Sequence, residues 1–239
     1  MTDRLPLVLV PGLASSARIY GAVIPALWRA GPVMVANHAQ DDSIAAIAAR
    51  ILREAPERFA LAGHSMGGYI AFEIMRQAPE RVARLALLNT SARPDTPEAT
   101  ARRRQQMQMA RDDRLHEVLD MIFPSFVHPD RVTDTALHRL VHDMGDDVGA
   151  AGFINNQAAI IARPDSRPGL GAISCPTLVL AAEQDAVLPK TLSIEIADGI
   201  PGARLVVVPD CGHLAQVEQP EAVGAALLAW LGGVAVIRA

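Results

Sequence analysis

Phe59-Ala60-Leu61-Ala62-Gly63-His64-Ser65-Met66-Gly67-Gly68-Tyr69 is the stretch on which the fold turns. A short apolar run leads into a serine with glycine two places to either side, and a helical pattern follows from Tyr69 to Gln77. That order reads as strand, sharp turn and helix, with the serine at the turn. The backbone at such a turn is strained, and small residues at Gly63 and Gly67 let the helix pack close against neighbouring strands. The turn lifts the Ser65 hydroxyl clear of a sheet and aims the backbone N–H of Met66 at the place where a substrate carbonyl oxygen would lie. Gly-x-Ser-x-Gly is expected by chance in roughly one chain in ten of this length, so the motif needs partners before it carries weight.

A serine hydroxyl is a poor nucleophile unless a neutral histidine takes its proton and an acid holds that histidine in one tautomer. Both residue types follow downstream. Thr177 to Ala182 is a buried-strand pattern that runs into Glu183-Gln184-Asp185, and Leu205 to Val208 runs into Pro209-Asp210-Cys211-Gly212-His213. In an open parallel sheet the crevice lies outside the carboxyl ends of the strands, so Ser65, Asp185 and His213 can converge from three loops. Glu183 and Asp210 are neighbouring carboxylates that compete with Asp185 for the role of the acid.

Apolar runs at Leu7 to Val10, Val33 to Ala36, Phe59 to Ala62, Leu85 to Leu88, Thr177 to Ala182 and Leu205 to Val208 alternate with helical patterns. The helical patterns are Tyr20 to Arg29, Ser43 to Glu54, Gly67 to Gln77, Leu188 to Asp198 and Pro220 to Leu231. This alternation predicts an α/β fold built on a doubly wound, mostly parallel sheet. Between Asn89 and Ile173 it stops, and helices broken by prolines are expected instead. The predicted division is a core of residues 1–90 and 174–239 with a helical insertion over 91–173.

The Gly63-His64-Ser65-Met66-Gly67-Gly68 turn, Asp185 after a late strand and the Gly212-His213-Leu214 segment followed by Glu218-Gln219-Pro220 resemble the α/β-hydrolase superfamily. The serine, acid, histidine order matches that family. So does Leu7 to Val10 leading into Pro11-Gly12-Leu13, although many members carry His-Gly where this chain has Pro11-Gly12. The resemblance implies Ser65 as nucleophile, Asp185 as acid, His213 as base, and an oxyanion hole from the N–H groups of Leu13 and Met66. It makes the insertion a cap roofing an apolar pocket, with Met107, Met109, Met121, Ile122, Phe123, Phe126, Met144 and Phe153 as candidate lining. The implied activity is hydrolysis of small, largely apolar carboxylic esters through an acyl-enzyme, with no cofactor and no metal. The same three residues would serve a lactonase, a carbon–carbon bond hydrolase, a cofactor-free haloperoxidase or a non-enzymatic ligand receptor. Serine at the turn disfavours dehalogenases and epoxide hydrolases, and Leu214 stands where hydroxynitrile lyases carry lysine.

Hydrophobic residues make up 50% of the 239 and the net charge is −4, so no cationic surface for nucleic acid is expected. No apolar stretch reaches the ~18 residues of a membrane span. The run from Leu5 to Val10 is too short for a signal peptide, and a cytoplasmic protein without membrane or nucleic-acid partners is expected. Cys175 and Cys211 fall near opposite ends of neighbouring strands and are expected as free thiols. Composition leaves the oligomeric state open. His64 is expected to be structural, with its side chain turned from the crevice. Arg102-Arg103-Arg104 reads as a solvated helix face, the alternative being a site for a substrate carboxylate. Ser15 and Ser16 flank the loop after the first strand, either as turn residues or as donors to a substrate. His138 and His142, spaced i and i+4, share a helix face, but the sequence offers them no evident third metal ligand.

Overall fold

Six apolar segments pair into one sheet in the computed structural model, which describes residues 4–232. In chain order the elements are β1 (Leu7–Val10), α1 (Ile24–Leu27), β2 (Val33–Val35), α2 (Ile44–Glu54), β3 (Phe59–His64), α3 (Met66–Gln77) and β4 (Val82–Leu88). Then come α4 (Pro97–Arg111), α5 (Leu115–Phe126), α6 (Thr135–Ile161), β5 (Thr177–Ala182), α7 (Lys190–Gly199), β6 (Arg204–Val208), α8 (Ala215–Glu218) and α9 (Pro220–Gly232). The strand order is β2-β1-β3-β4-β5-β6 and every pair is parallel. The chain leaves β1 toward β2 and returns to add β3 on β1's other side. The loops after β1 and β3 therefore flank the switch point, where open α/β sheets hold their ligands.

Side chains alternate across the sheet and build two cores. Leu7, Leu9, Ala60, Ala62, Leu88 and Leu180 face α9 and the helices of the insertion. Val8, Val10, Leu61, Leu85, Leu87 and Val179 face α2, α3 and α7. Strands buried on both faces read as continuous apolar runs, which is why they were legible. Each large aliphatic side chain so buried contributes roughly 1.5–3 kcal/mol.

Several boundaries depart from the sequence expectation, three of them in ways that bear on packing. The predicted Tyr20 to Arg29 helix is a short turn over Ala17–Tyr20 and the single turn of α1, separated at Gly21 and restarted with Pro25 in its first turn. β4 begins at Val82, ahead of the apolar run, because Arg84 keeps its charge at the sheet end by donating to the Trp230 carbonyl (2.9 Å). β3 continues through Gly63 and His64, which pair with Leu87 and Leu88. Between β4 and β5 the chain forms α4, α5 and α6, the last broken at Gly149 (φ 69°). Of the expected core unit, residues 1–3 and 233–239 lie outside the described residues. Both cysteines are unpaired. No described helix is long and apolar enough to cross a membrane.

Candidate active site

Ser65 lies between β3 and α3 with φ 53° and ψ −116°. A non-glycine residue there stores about 1–3 kcal/mol of strain unless its neighbours fix it. They do: its N–H donates to Leu88 O (2.9 Å), and its carbonyl accepts from Gly68 N–H (2.9 Å) and Thr90 Oγ1 (2.7 Å). The flanking glycines are required by contact. A methyl on Gly63 would strike the Gly67 carbonyl, and one on Gly67 would strike the Val10 carbonyl oxygen, so α3 could not start this close to β1.

Asp185 follows β5 and is 6% exposed, with its oxygens fully engaged. Oδ1 accepts the N–H groups of Val187 (2.9 Å) and Leu188 (2.8 Å), while Oδ2 accepts Asn89 Nδ2 (2.9 Å) and His213 Nδ1 (2.7 Å). Burial is the strongest single influence on this carboxyl and pushes its pKa up. The charge and hydrogen bond of His213, with the Leu188 and Asn89 donors, outweigh it and hold the group below the usual carboxylate range. A carboxylate only accepts, so His213 Nδ1 carries the proton of this hydrogen bond, and in the neutral ring Nε2 is the nitrogen with the lone pair. The competing carboxylates lie elsewhere: Glu183 pairs with Lys190, and Asp210 is exposed at the turn after β6.

His213 is held from its own backbone as well. His64 Nε2 donates to the His213 carbonyl (2.9 Å), and the two rings lie 4.9 Å apart. The expectation that His64 turns from the crevice is thus corrected: it is buried, packs on His213 and contributes to the crevice wall. Burial, with the positive potential of His213, lowers its pKa to about 3, so it stays neutral. Glu218 Oε1 accepts Gly212 N–H (2.8 Å) and its Oε2 accepts His128 N–H (2.7 Å), tying the histidine loop to the end of α5.

The loop after β1 approaches from the other side. Gly12 packs so tightly that a methyl there would sit 3.0 Å from Ser65 Cβ. His38 Nε2 donates to Gly12 O (2.9 Å) and Tyr20 OH to Val10 O (2.9 Å), with Ala14 at φ 54°. Burial lowers the His38 pKa to about 4, which keeps it a neutral donor. Ser15 Oγ donates to the Leu13 carbonyl (3.3 Å), and Ser16 caps the following turn while donating to Asp147 (2.7 Å).

Leu13, Ser65 and His213 share one cavity of about 640 Å³ roofed by α4 and α5. Of the expected lining residues, Met121 and Phe126 reach it, with Met109 and Ile122. Met107, Phe123, Met144 and Phe153 do not line it and are buried instead, the last three in the core that the insertion shares with the sheet. Helical spacing marks a buried face, and these four occupy its packed part. Met66 is fully buried and is not among the residues that line the cavity. The expected solvated arginine face is also corrected. Arg102 and Arg104 are exposed, but Arg103 turns inward to Asp95 (3.3 Å) and Gln157 (2.8 Å). Asp95 also receives Arg163 (2.9 Å), whose guanidinium lies 4.4 Å from the Tyr69 ring centre. Arg102, Arg103, Arg163 and Asp95 all line the cavity.

His38, Asn89 and Thr90 were not singled out from the sequence, and Glu218 was named only within the segment that carries the family resemblance. The signal for two of them was present: Asn89 directly follows β4 and His38 closely follows β2, in the post-strand position that revealed Ser65, Asp185 and His213.

Residues 27–220 match the family described as alpha/beta hydrolase fold. The chain is similar to an esterase from Thermogutta terrifontis, solved with malate bound, with TM-score 0.88 and 30% identity over 97% of this chain and 91% of that one. It is similar in fold to the enol-lactonase of Burkholderia xenovorans, with TM-score 0.86 and 24% identity over 96% and 92% of the two chains. A protein of Variovorax paradoxus that bears the name "Putative carbamate hydrolase RutD" is 29% identical, over 97% of this chain and 93% of its own length. The chain belongs to the alpha/beta hydrolase fold family.

Proposed function

We propose that the chain is a serine hydrolase that cleaves small carboxylic esters through an acyl-enzyme on Ser65. The observation that carries this reading is the Asp185–His213 contact, Nδ1 to Oδ2 at 2.7 Å, made by a histidine that lines the same cavity as Ser65. Ser65 Oγ attacks the ester carbonyl carbon while His213 Nε2 accepts its proton. The N–H groups of Leu13 and Met66 receive the oxyanion. Collapse expels the alcohol, which takes the proton from His213, and the same nitrogen then draws a proton from the water that releases the acid. The mechanism asks for no cofactor or metal. Residues 91–173 act as the cap that selects the substrate.

Met109, Met121, Ile122, Phe126 and Leu188 supply an apolar wall suited to a short acyl or alkyl group. The wall bearing Arg103 and Arg163 favours one refinement. Two inward guanidiniums share the single carboxylate of Asp95, and desolvation lowers the pKa of Arg103, the sign of a cation short of compensation. An ester carrying its own carboxylate would supply the missing charge, and the related Thermogutta esterase was captured with a dicarboxylate. A p-nitrophenyl ester series from acetate to decanoate, run beside the p-nitrophenyl half-ester of succinic acid, tests both points. Turnover that peaks at a short chain and vanishes in Ser65→Ala is expected, with the half-ester preferred over butyrate. Turnover retained in Ser65→Ala would overturn the mechanism, and a half-ester slower than butyrate would overturn the refinement.

A further inference from the structure

The insertion carries a second cluster of chemistry-bearing side chains, outside the cavity and unused by the mechanism. Helices α5 and α6 pack against each other and are joined by the short segment 127–134. On α5, His116 and Asp120 are one helical turn apart. On α6, His138, His142 and Asp146 repeat that spacing twice, so each helix presents one acid-and-imidazole ridge. The ridges meet: His138 Nε2 and His142 Nε2 each lie 2.8 Å from the same Asp120 oxygen, and His116 Nε2 lies 2.6 Å from Asp146 Oδ1. The His116 and His142 ring centres are 4.7 Å apart, and those of His138 and His142 are 4.5 Å apart. Three of the chain's seven histidines converge here.

The sequence lacked a third ligand for the His138–His142 pair, and the facing helix supplies it as Asp120. We propose that Asp120, His138 and His142 bind a divalent transition-metal ion. The three ligand atoms all lie within 4.8 Å of one another. A tetrahedral ion with bonds near ~2.0 Å spaces its ligand atoms roughly 3.3 Å apart, so small side-chain rotations convert the present contacts into coordination. Two imidazoles and one carboxylate suit Zn²⁺, Co²⁺, Ni²⁺ or Cu²⁺ and not Mg²⁺ or Ca²⁺, which prefer all-oxygen shells. His116 stands beside the pair with its Nε2 oriented by Asp146, the arrangement in which a carboxylate aligns a ligating imidazole, and it or a water completes the shell.

The site clamps the part of the fold that roofs the cavity. Asp120 immediately precedes Met121 and Ile122, which line the cavity, and α5 ends at Phe126, whose ring centre is 5.6 Å from that of His213. An ion joining α5 to α6 therefore stiffens the roof without touching the reacting atoms. This inference does not depend on the serine chemistry.

Untagged protein stripped with EDTA and dialysed is titrated with Zn²⁺ by calorimetry, with Co²⁺ added separately to read coordination from its visible absorption. One equivalent of Zn²⁺ should bind, Co²⁺ should give the intense bands of a tetrahedral site, and Zn²⁺ but not Mg²⁺ should raise the unfolding midpoint. His138→Ala/His142→Ala and, separately, Asp120→Asn should lose at least about tenfold in affinity and the midpoint shift, while keeping the circular dichroism and basal activity of the parent. All three side chains are at least partly exposed, so the variants are expected to fold. Absence of Zn²⁺ binding by the parent, or equal binding by the double variant, would overturn the proposal.

Discussion

Replacing Asp185 with asparagine is the substitution whose outcome the geometry fixes most sharply. Asp185 Oδ1 accepts two backbone N–H groups, from Val187 and Leu188, so the one oxygen of an asparagine must stay there. Its amide nitrogen then faces Asn89 Nδ2 and His213 Nδ1, where two donors already converge. His213 can meet that N–H only by releasing the proton from Nδ1 and carrying it on Nε2, the nitrogen that must be bare to accept the Ser65 proton. The wrong tautomer in such a triad costs about 10⁴ in kcat, or roughly 5.4 kcal/mol at 1.36 kcal/mol per decade. The residual donor clash with Asn89 costs a further ~1–3 kcal/mol of folding stability. Steady-state hydrolysis of p-nitrophenyl butyrate and urea unfolding read the two effects separately. Neither Glu183 nor Asp210 is placed to substitute, so a kcat within tenfold of the parent would refute the reasoning. So would a large loss of kcat accompanied by global unfolding at assay conditions.

Other consequences are equally open to measurement. Gly67→Ala places a methyl against the Val10 carbonyl oxygen and 2.8 Å from that of Pro11, and should cost ~3 kcal/mol or more in chemical denaturation. Gly224→Ala in α9, where a methyl meets nothing within 4 Å, should instead gain up to ~1 kcal/mol. His38 and His64 have folded pKa values near 4 and 3, below the 6.5 of the unfolded chain. The unfolded state therefore binds more protons, and stability present above pH 6.5 is lost as pH falls toward 4, by on the order of 5 kcal/mol in all at pH 4.5. His38→Gln keeps a donor for Gly12 and should remove about half of that slope, which urea midpoints from pH 4.5 to 8 would show. Asp95→Asn leaves Arg103 and Arg163 without their shared carboxylate, and should lower stability by ~3–5 kcal/mol in the same assay.

The sheet was legible because its strands are buried on both faces, and β1 and β5 fall on the residues their apolar runs mark. Where polarity interrupts a run, as at Arg84 in β4, the pattern hides the boundary. The meeting of Asp185 with His213 at the cavity that Ser65 lines was legible because three chemically suited residues follow three strands. His38 and Asn89 share that post-strand position, but their roles, like that of Glu218, were not legible, since a hydrogen bond to a distant carbonyl, carboxylate or amide leaves no periodic trace. Arg103 shows the converse: within Arg102-Arg103-Arg104 hydropathy is uniform, and only the helix's rotation against Asp95 and Gln157 turns the middle side chain inward. The same limit separated Met121 and Phe126, which line the cavity, from Met107, Phe123, Met144 and Phe153, which pack. It also hid Asp120, whose meeting with His138 and His142 depends on the register of two helices.

The central claim is that Ser65 is the activated nucleophile of this fold. Intact-protein mass spectrometry after brief exposure to a fluorophosphonate, on the parent, Ser65→Ala and His213→Ala, tests it most directly. A single adduct on the Ser65 peptide of the parent, none in Ser65→Ala and strongly slowed labelling in His213→Ala is the predicted result. No adduct on the folded parent, an adduct on another residue, or labelling of His213→Ala at the parent's rate would contradict it.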